Sequence, residues 1–241
     1  MEKLNILGVP FDHTTMEDMF HQLRHNLQLN KKTFIVTANP EIVMYAVEDE
    51  HYRNTIAQAN HIIADGAGII LASKLVKKPL PERVAGFDLM VELLKLANKE
   101  QLRVFFLGSR EQVIERTVAN VQKSYPNLQI AGYHHGFFKE NDETVTEMVK
   151  NSNPDMVFVA LGFPKQEYWI QNNYHHFEKG IFMGVGGSFE IIAGTAKRAP
   201  DIWIKLNLEW LHRLLSQPSR WRRMLALPKF VIRVLKTRKR Q

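Results

Sequence analysis

Hydrophobic side chains make up 45% and charged ones 24% of the 241 residues, a balance that suits one folded α/β domain with or without an appendage. There is no cysteine, which excludes disulfides, thiolate catalysis and cysteine-ligated zinc, and no apolar run reaches the roughly 20 residues of a spanning helix. The net charge of +7 is lopsided: residues 197–241 hold 13 of the 32 Lys and Arg and 2 of the 25 Asp and Glu, so they carry +11 while residues 1–196 carry −4, and that end calls for an anionic partner, whether nucleic acid, phospholipid or a diphosphate ligand.

The first apolar run, Asn5–Val9, reads as a strand. The next, Thr33–Thr37, runs into Thr37-Ala38-Asn39-Pro40-Glu41, where Thr37 and Asn39 suit either a polar site or the capping of a following helix. His61–Ala64 reads as a strand ending in Asp65-Gly66-Ala67-Gly68. Asp65 there is a candidate general base that takes a proton from an attacking hydroxyl. The alternative is an N-cap of the next helix, and spacing alone favours the cap. Arg83 follows in the loop Pro81–Gly86, suited to bidentate phosphate binding or to plain solvation.

The spacing of Leu89, Leu93 and Leu96 predicts a helix over Asp88–Lys99. Arg103–Leu107 predicts a strand closed by Gly108-Ser109-Arg110, and Glu111–Ser124 a helix with Val113, Ile114, Val118 and Val121 on one face. A strand at Gln129–Gly132 and a helix at Asp142–Asn151 come next. The apolar run Met156–Leu161 leads into Gly162-Phe163-Pro164-Lys165-Gln166-Glu167, opening a helix over Gln166–Tyr174. The last strand, Ile181–Val185, ends in Gly184-Val185-Gly186-Gly187-Ser188. Gly186 and Gly187 would let backbone N–H groups approach a phosphate at a helix N-terminus; a tight strand-to-helix turn explains them equally well.

Strands rich in Val, Ile and Phe that alternate with amphipathic helices predict an α/β fold: a doubly wound, mostly parallel, Rossmann-like sheet. Its ligands would lie past the carboxyl ends of the strands, where the glycines and small polar residues above collect. A boundary near Ala193–Pro200 divides an α/β core, residues 1–196, from a basic amphipathic helical appendage, residues 197–241. There Ile202–Leu215 predicts one helix that Pro218 ends, and Pro228 opens another. On that last helix Lys229, Arg233, Lys236 and Arg240 line one face, and Phe230, Val231, Val234 and Leu235 the other. This is the pattern of an interfacial element, and Trp203, Trp210 and Trp221 suit the headgroup level.

No D-x-D motif occurs, and the pairs His134-His135 and His175-His176 point apart on either a strand or a helix. Chemistry without an obligatory metal ion or other cofactor is therefore expected. Arg220-Trp221-Arg222-Arg223 would suit a nucleic-acid strand, but no RNP, KH or helix-turn-helix signature accompanies it, so nucleic acid is not expected as a partner.

Taken in order, Thr37–Glu41, Ala64–Gly66 with Gly68-Ile69, Glu82–Asp88, Phe106–Gly108, Leu161–Glu167, Gly184–Gly187, and Arg198–Pro200 followed by Leu208-Glu209-Trp210 span almost the whole chain. The set resembles the WecG/TagA/CpsF family of bacterial glycosyltransferases, glycosyltransferase family 26, and is most similar to its TagA branch. The resemblance implies inverting, metal-independent transfer of N-acetylmannosamine from UDP-ManNAc to undecaprenyl-diphosphate-linked N-acetylglucosamine, the linkage disaccharide of wall teichoic acid. It places the base at Asp65, with Thr37, Asn39, Arg83 and Gln166 as active-site polar groups, and adds arginines of the appendage, matched here by Arg213, Arg220 and Arg223. Relatives that transfer an N-acetylmannosaminuronic acid or a hexose leave a different sugar pair as the alternative. With no leader in Met1–Asp12, the expected location is the cytoplasm, peripherally on the inner face of the cell membrane and held by anionic lipid. The oligomeric state, a homo-oligomer included, stays open.

Overall fold

The computed structural model describes residues 2–139, 142–206, 208–216 and 225–238. Its main sheet has six strands, Thr33–Ala38 (β3), His61–Ala64 (β4), Arg103–Gly108 (β5), Gln129–His134 (β6), Met156–Ala160 (β7) and Ile181–Gly184 (β8); all but β6, a partly exposed edge strand, are largely buried apolar runs that need cover on both faces. They form one sheet in the order β4-β3-β8-β7-β5-β6, with every neighbouring pair parallel.

Strand alternation sorts the core into two layers. Val36, Ile62, Phe105, Leu107, Val157, Val159 and Phe182 point to one face. There they meet α2 (Pro40–Glu48), α3 (Glu50–Ala57), α4 (Ala67–Leu75), α7 (Glu143–Asn151) and α8 (Lys165–Asn173). Ile35, Ile63, Val104, Phe106, Phe158 and Met183 point to the other, under α1 (Met16–Gln28), α5 (Gly86–Glu100), α6 (Glu111–Ser124) and α9 (Ser188–Ile192). The sheet is therefore parallel and doubly wound, as expected.

Three local expectations differ. Asn5–Val9 is not one strand but a hairpin, Lys3–Ile6 (β1) and Val9–Asp12 (β2). Leu7 and Gly8 both take positive φ, 53° and 92°, which turns the chain within what reads as a continuous apolar run. Asp12 anchors this hairpin: its Oδ2 accepts from Ile62 N at 3.1 Å and lies 3.0 Å from His61 Nδ1. Ile202–Leu215 is likewise split, into α10 (Asp201–Lys205) and α11 (Glu209–Ser216).

The third difference concerns α12 (Ala226–Arg238). Its apolar face was expected at a membrane interface, yet Phe230 and Val234 are fully buried, in the same core layer as α2 and α4. Gly68 permits that approach, since a Cβ there would stand 2.5 Å from Pro40 and 2.7 Å from Leu227. Lys229, Arg233 and Lys236 remain exposed on the opposite face, while Arg240 lies outside the described residues. Phe230→Ala should consequently cost about 3–5 kcal/mol, the usual range for emptying an aromatic core position, read as a lowered denaturant midpoint; a loss below about 1 kcal/mol would mean that α12 does not hold this position in solution.

Candidate active site

Strand order assembles the site. The loop after β3 enters α2 on one face of the sheet and the loop after β8 enters α9 on the other. Diverging loops on adjacent strands open a crevice at the carboxyl edge, the usual ligand position in such sheets. Thr37 bridges the two strands, its Oγ1 donating to Gly184 O at 3.2 Å. Asp65 N donates to Ala38 O at 3.0 Å, and Val84 N to Ala64 O at 3.0 Å, so the end of β4 and the segment carrying Arg83 arrive together. From the β7 side, Gln166 Oε1 accepts from Gly186 N at 3.1 Å. Thr37, Asp65, Arg83, Gln166 and Gly186–Gly187, separated widely in the chain, thus line the ends of four adjacent strands.

Charge concentrates at Arg83. Its Nη2 lies 2.7 Å from Glu209 Oε2 on α11 and 3.4 Å from Asp65 Oδ1. Burial opposes ionisation of this guanidinium, but the Asp65 and Glu209 carboxylates outweigh it and raise its pKa above the ordinary value. Arg83 Nε is buried and has no hydrogen-bond partner among the described residues. A planar fork with one donor unspent, beside a carboxylate, is suited to the oxygens of an entering diphosphate.

Several expectations are decided locally. Asp65 is not the cap of α4: that position is Gly66, at φ 129°, with no side-chain cap bond. The cap reading instead holds for Asn39, whose Oδ1 accepts from Ile42 N at 3.1 Å at the start of α2. Arg83 is not a solvated surface residue, its side chain being 16% exposed. The glycine turn does precede a helix, although α9 spans only five residues. Arg213 lies on α11, one turn beyond Glu209. Arg220 and Arg223 fall outside the described residues.

Other residues at the site were given no role in the reading of the sequence. Glu209 is one of the two acidic residues in the basic tail, and that isolation was a usable signal. Ser109 Oγ donates to Glu190 Oε1 at 2.9 Å, and Glu190 Oε2 is buried without a hydrogen bond among the described residues. A Cβ on Gly187 would come within 3.6 Å of that oxygen, so Glu190 stands behind the glycine turn. The tail is fastened by Arg198, whose Nη2 lies 2.5 Å from Asp88 Oδ1 and whose guanidinium covers the Phe87 ring at 4.7 Å.

Beneath the crevice Glu167 is 1% exposed. Burial pushes its carboxyl up to about 7, against the lowering effect of the hydrogen bond from Gln166. The Tyr52 phenol is raised as well, first by its own burial and then by the Glu167 carboxylate next to it.

Among the described residues no group of three His, Asp or Glu is placed to hold a metal ion. No helix among them is long and apolar enough to cross a membrane. What the crevice does offer is a carboxylate beside a guanidinium, with a glycine turn opposite.

A model of the Glycosyl transferase WecG/TagA/CpsF family matches residues 4–241. The chain is 46% identical over 210 residues to an N-acetylglucosaminyldiphosphoundecaprenol N-acetyl-beta-D-mannosaminyltransferase of Bacillus spizizenii, covering 87% of this chain and 81% of that protein. A Staphylococcus aureus protein of the same name is 44% identical over 240 residues, covering 99% of this chain and 94% of its own length.

Proposed function

Because the chain belongs to the WecG/TagA/CpsF family and is a glycosyltransferase, we propose that it transfers N-acetylmannosamine from UDP-ManNAc to undecaprenyl-diphosphate-linked N-acetylglucosamine. The observation that carries this reading at the site is the contact of Asp65 with Arg83 at the mouth of the crevice. Asp65 takes the proton of the acceptor hydroxyl as that oxygen attacks the anomeric carbon. The bond to UDP breaks from the opposite side, so the anomeric centre inverts.

The departing diphosphate gains negative charge, and a preorganised cation stabilises it. Arg83 supplies one, with Arg213, Arg220 and Arg223 of the appendage as further candidates. Thr37 and Gln166 hold the strand ends in register around the donor, Gly186 and Gly187 admit it closely, and Asn39 both caps α2 and borders the acceptor. The carboxylate of Glu190 suits donor hydroxyl groups.

The acceptor's tail lies in a membrane, and the appendage brings the site to it. Lys229, Arg233 and Lys236 are exposed on one face of α12, and each cation near an anionic surface contributes about 1 kcal/mol. Ile202, Leu206, Leu215, Leu225 and Ile232 are exposed along the same basic segment, supplying apolar contact once charge has brought the two together.

Donor competition separates this reading from that of another sugar pair. UDP-ManNAc should be preferred at least 10-fold in kcat/KM over UDP-glucose and the uronic acid; preference for either would replace the donor and leave the fold's role intact. Transfer should also survive chelation. Loss of turnover in EDTA, restored by Mg²⁺ or Mn²⁺, would show that a cation other than arginine carries the leaving group's charge.

A further inference from the structure

We propose that Glu167 is a positioning residue that fixes the orientation of the Gln166 side-chain amide and, through it, the Gly184–Gly187 turn on which the donor rests. The inference rests on the reading of that turn as the donor site. The two ends of a glutamine amide have nearly the same shape, so packing cannot choose between them; hydrogen-bond partners must. Gly186 N–H, at 3.1 Å, requires the oxygen end. Glu167 Oε1, at 2.8 Å from Gln166 Nε2, requires the nitrogen end. Turning the amide over would set two donors face to face at Gly186 and two acceptors face to face at Glu167.

The pair is enclosed. Gln166 is 3% exposed and Glu167 1%, so no water shell is at hand to repair a wrong orientation. The amide is also pressed against β8, because a Cβ on Gly184 would come within 2.5 Å of Gln166 Nε2. Gly186 itself sits at φ 50°, a left-handed conformation that a bond to its N–H helps to hold. Beside the carboxylate stands the Tyr52 ring, itself packed against Phe163 and Tyr168. The Tyr52 hydroxyl stands within reach of the Glu167 carboxylate and lowers the cost of burying it. An ionisable side chain in such surroundings is costly to folding, and nothing in the packing itself calls for a charge. The carboxylate can only accept, so in that form Glu167 rejects the turned-over amide outright, and the Gly186 N–H calls for the same orientation in either form.

The test compares Glu167→Gln, which keeps an acceptor for Gln166 Nε2, with Glu167→Leu, which fills the space without one. In the ligand-free protein the Gly186 backbone amide resonance should keep its position in Glu167→Gln and move upfield in Glu167→Leu, as its acceptor is lost. With UDP-ManNAc the leucine variant should show a donor KM raised at least 10-fold and a kcat within about 3-fold of wild type, whereas the glutamine variant stays within about 3-fold on both. The leucine variant should also lose some thermal stability, because the buried Gln166 Nε2 is left without its acceptor, so the Gly186 resonance and the split between KM and kcat, rather than the thermal midpoint, carry the test. An unmoved Gly186 resonance in Glu167→Leu overturns the inference, as does a KM rise shared equally by both variants. If wild type binds no UDP-sugar, the reading of the donor site fails, and the ligand-free resonance still decides the role of Glu167.

Discussion

Asp65→Asn is expected to lower turnover by roughly 10²–10⁴, the span associated with removing a general base, while UDP binding and the fold are kept. The fold should survive because Asp65 is 28% exposed and because Arg83 retains its closer partner, Glu209, at 2.7 Å. The replacement amide is isosteric with the carboxylate but cannot take up a proton at neutral pH, so the loss belongs in kcat and the donor KM should change little. Single-turnover transfer beside calorimetric UDP binding makes the measurement. Turnover within about 3-fold of wild type would remove Asp65 from the role of base.

Arg83 carries the second large effect. Arg83→Gln should reduce kcat/KM by about 10²–10³, comparable to losing one donor from a preorganised oxyanion site. Unlike a surface arginine, it should also destabilise the protein. Its removal takes from Asp65 and from Glu209, 15% exposed, the guanidinium that both contact, and breaking one side of a buried pair typically costs about 3–5 kcal/mol. The second effect can be separated from the first. In the double variant Arg83→Gln with Glu209→Gln, part of the stability should return because the carboxylate that Arg83 held is gone as well, but transfer should not. Recovery of transfer together with stability would make Arg83 a structural tie between the tail and the core.

How much of this was legible beforehand follows from the range over which each signal acts. Five of the six sheet strands could be read because their burial leaves continuous apolar runs, whereas β6 is a partly exposed edge strand, and helices such as Glu111–Ser124 because their period is local. The hairpin at Leu7-Gly8 was hidden inside a run that looked like one strand. The helices α1 and α3 were not read, and α2 and α4 only as helices that Asn39 or Asp65 would cap, although Thr15, Asn39 and Asp49 cap α1, α2 and α3 in the customary way. For α12 the period identified the apolar face and nothing more. What covers that face, here α2 and α4, is a fact of tertiary structure that periodicity does not contain.

The site shows the same division. Thr37, Asp65 and the glycines after β8 were found because a parallel sheet collects ligands at its carboxyl edge, a rule that needs no sheet order. Pairings across long separations were not found. Arg83 and Glu209 lie 126 residues apart, and Ser109 and Glu190 lie 81 apart. Glu167 was passed over for a different reason. It belongs to a motif in which Gln166 drew attention, and nothing in the order of residues says that its neighbour points inward.

The product itself tests the central claim most directly. The purified chain is incubated with UDP-ManNAc and a short-chain lipid diphosphate bearing N-acetylglucosamine, and the lipid fraction is analysed by mass spectrometry and proton NMR. The account predicts one added N-acetylhexosamine on the acceptor sugar, joined with the anomeric configuration opposite to that in the donor. A product that retains the donor's configuration, or UDP-ManNAc left unconsumed while another UDP-sugar is transferred, would contradict it.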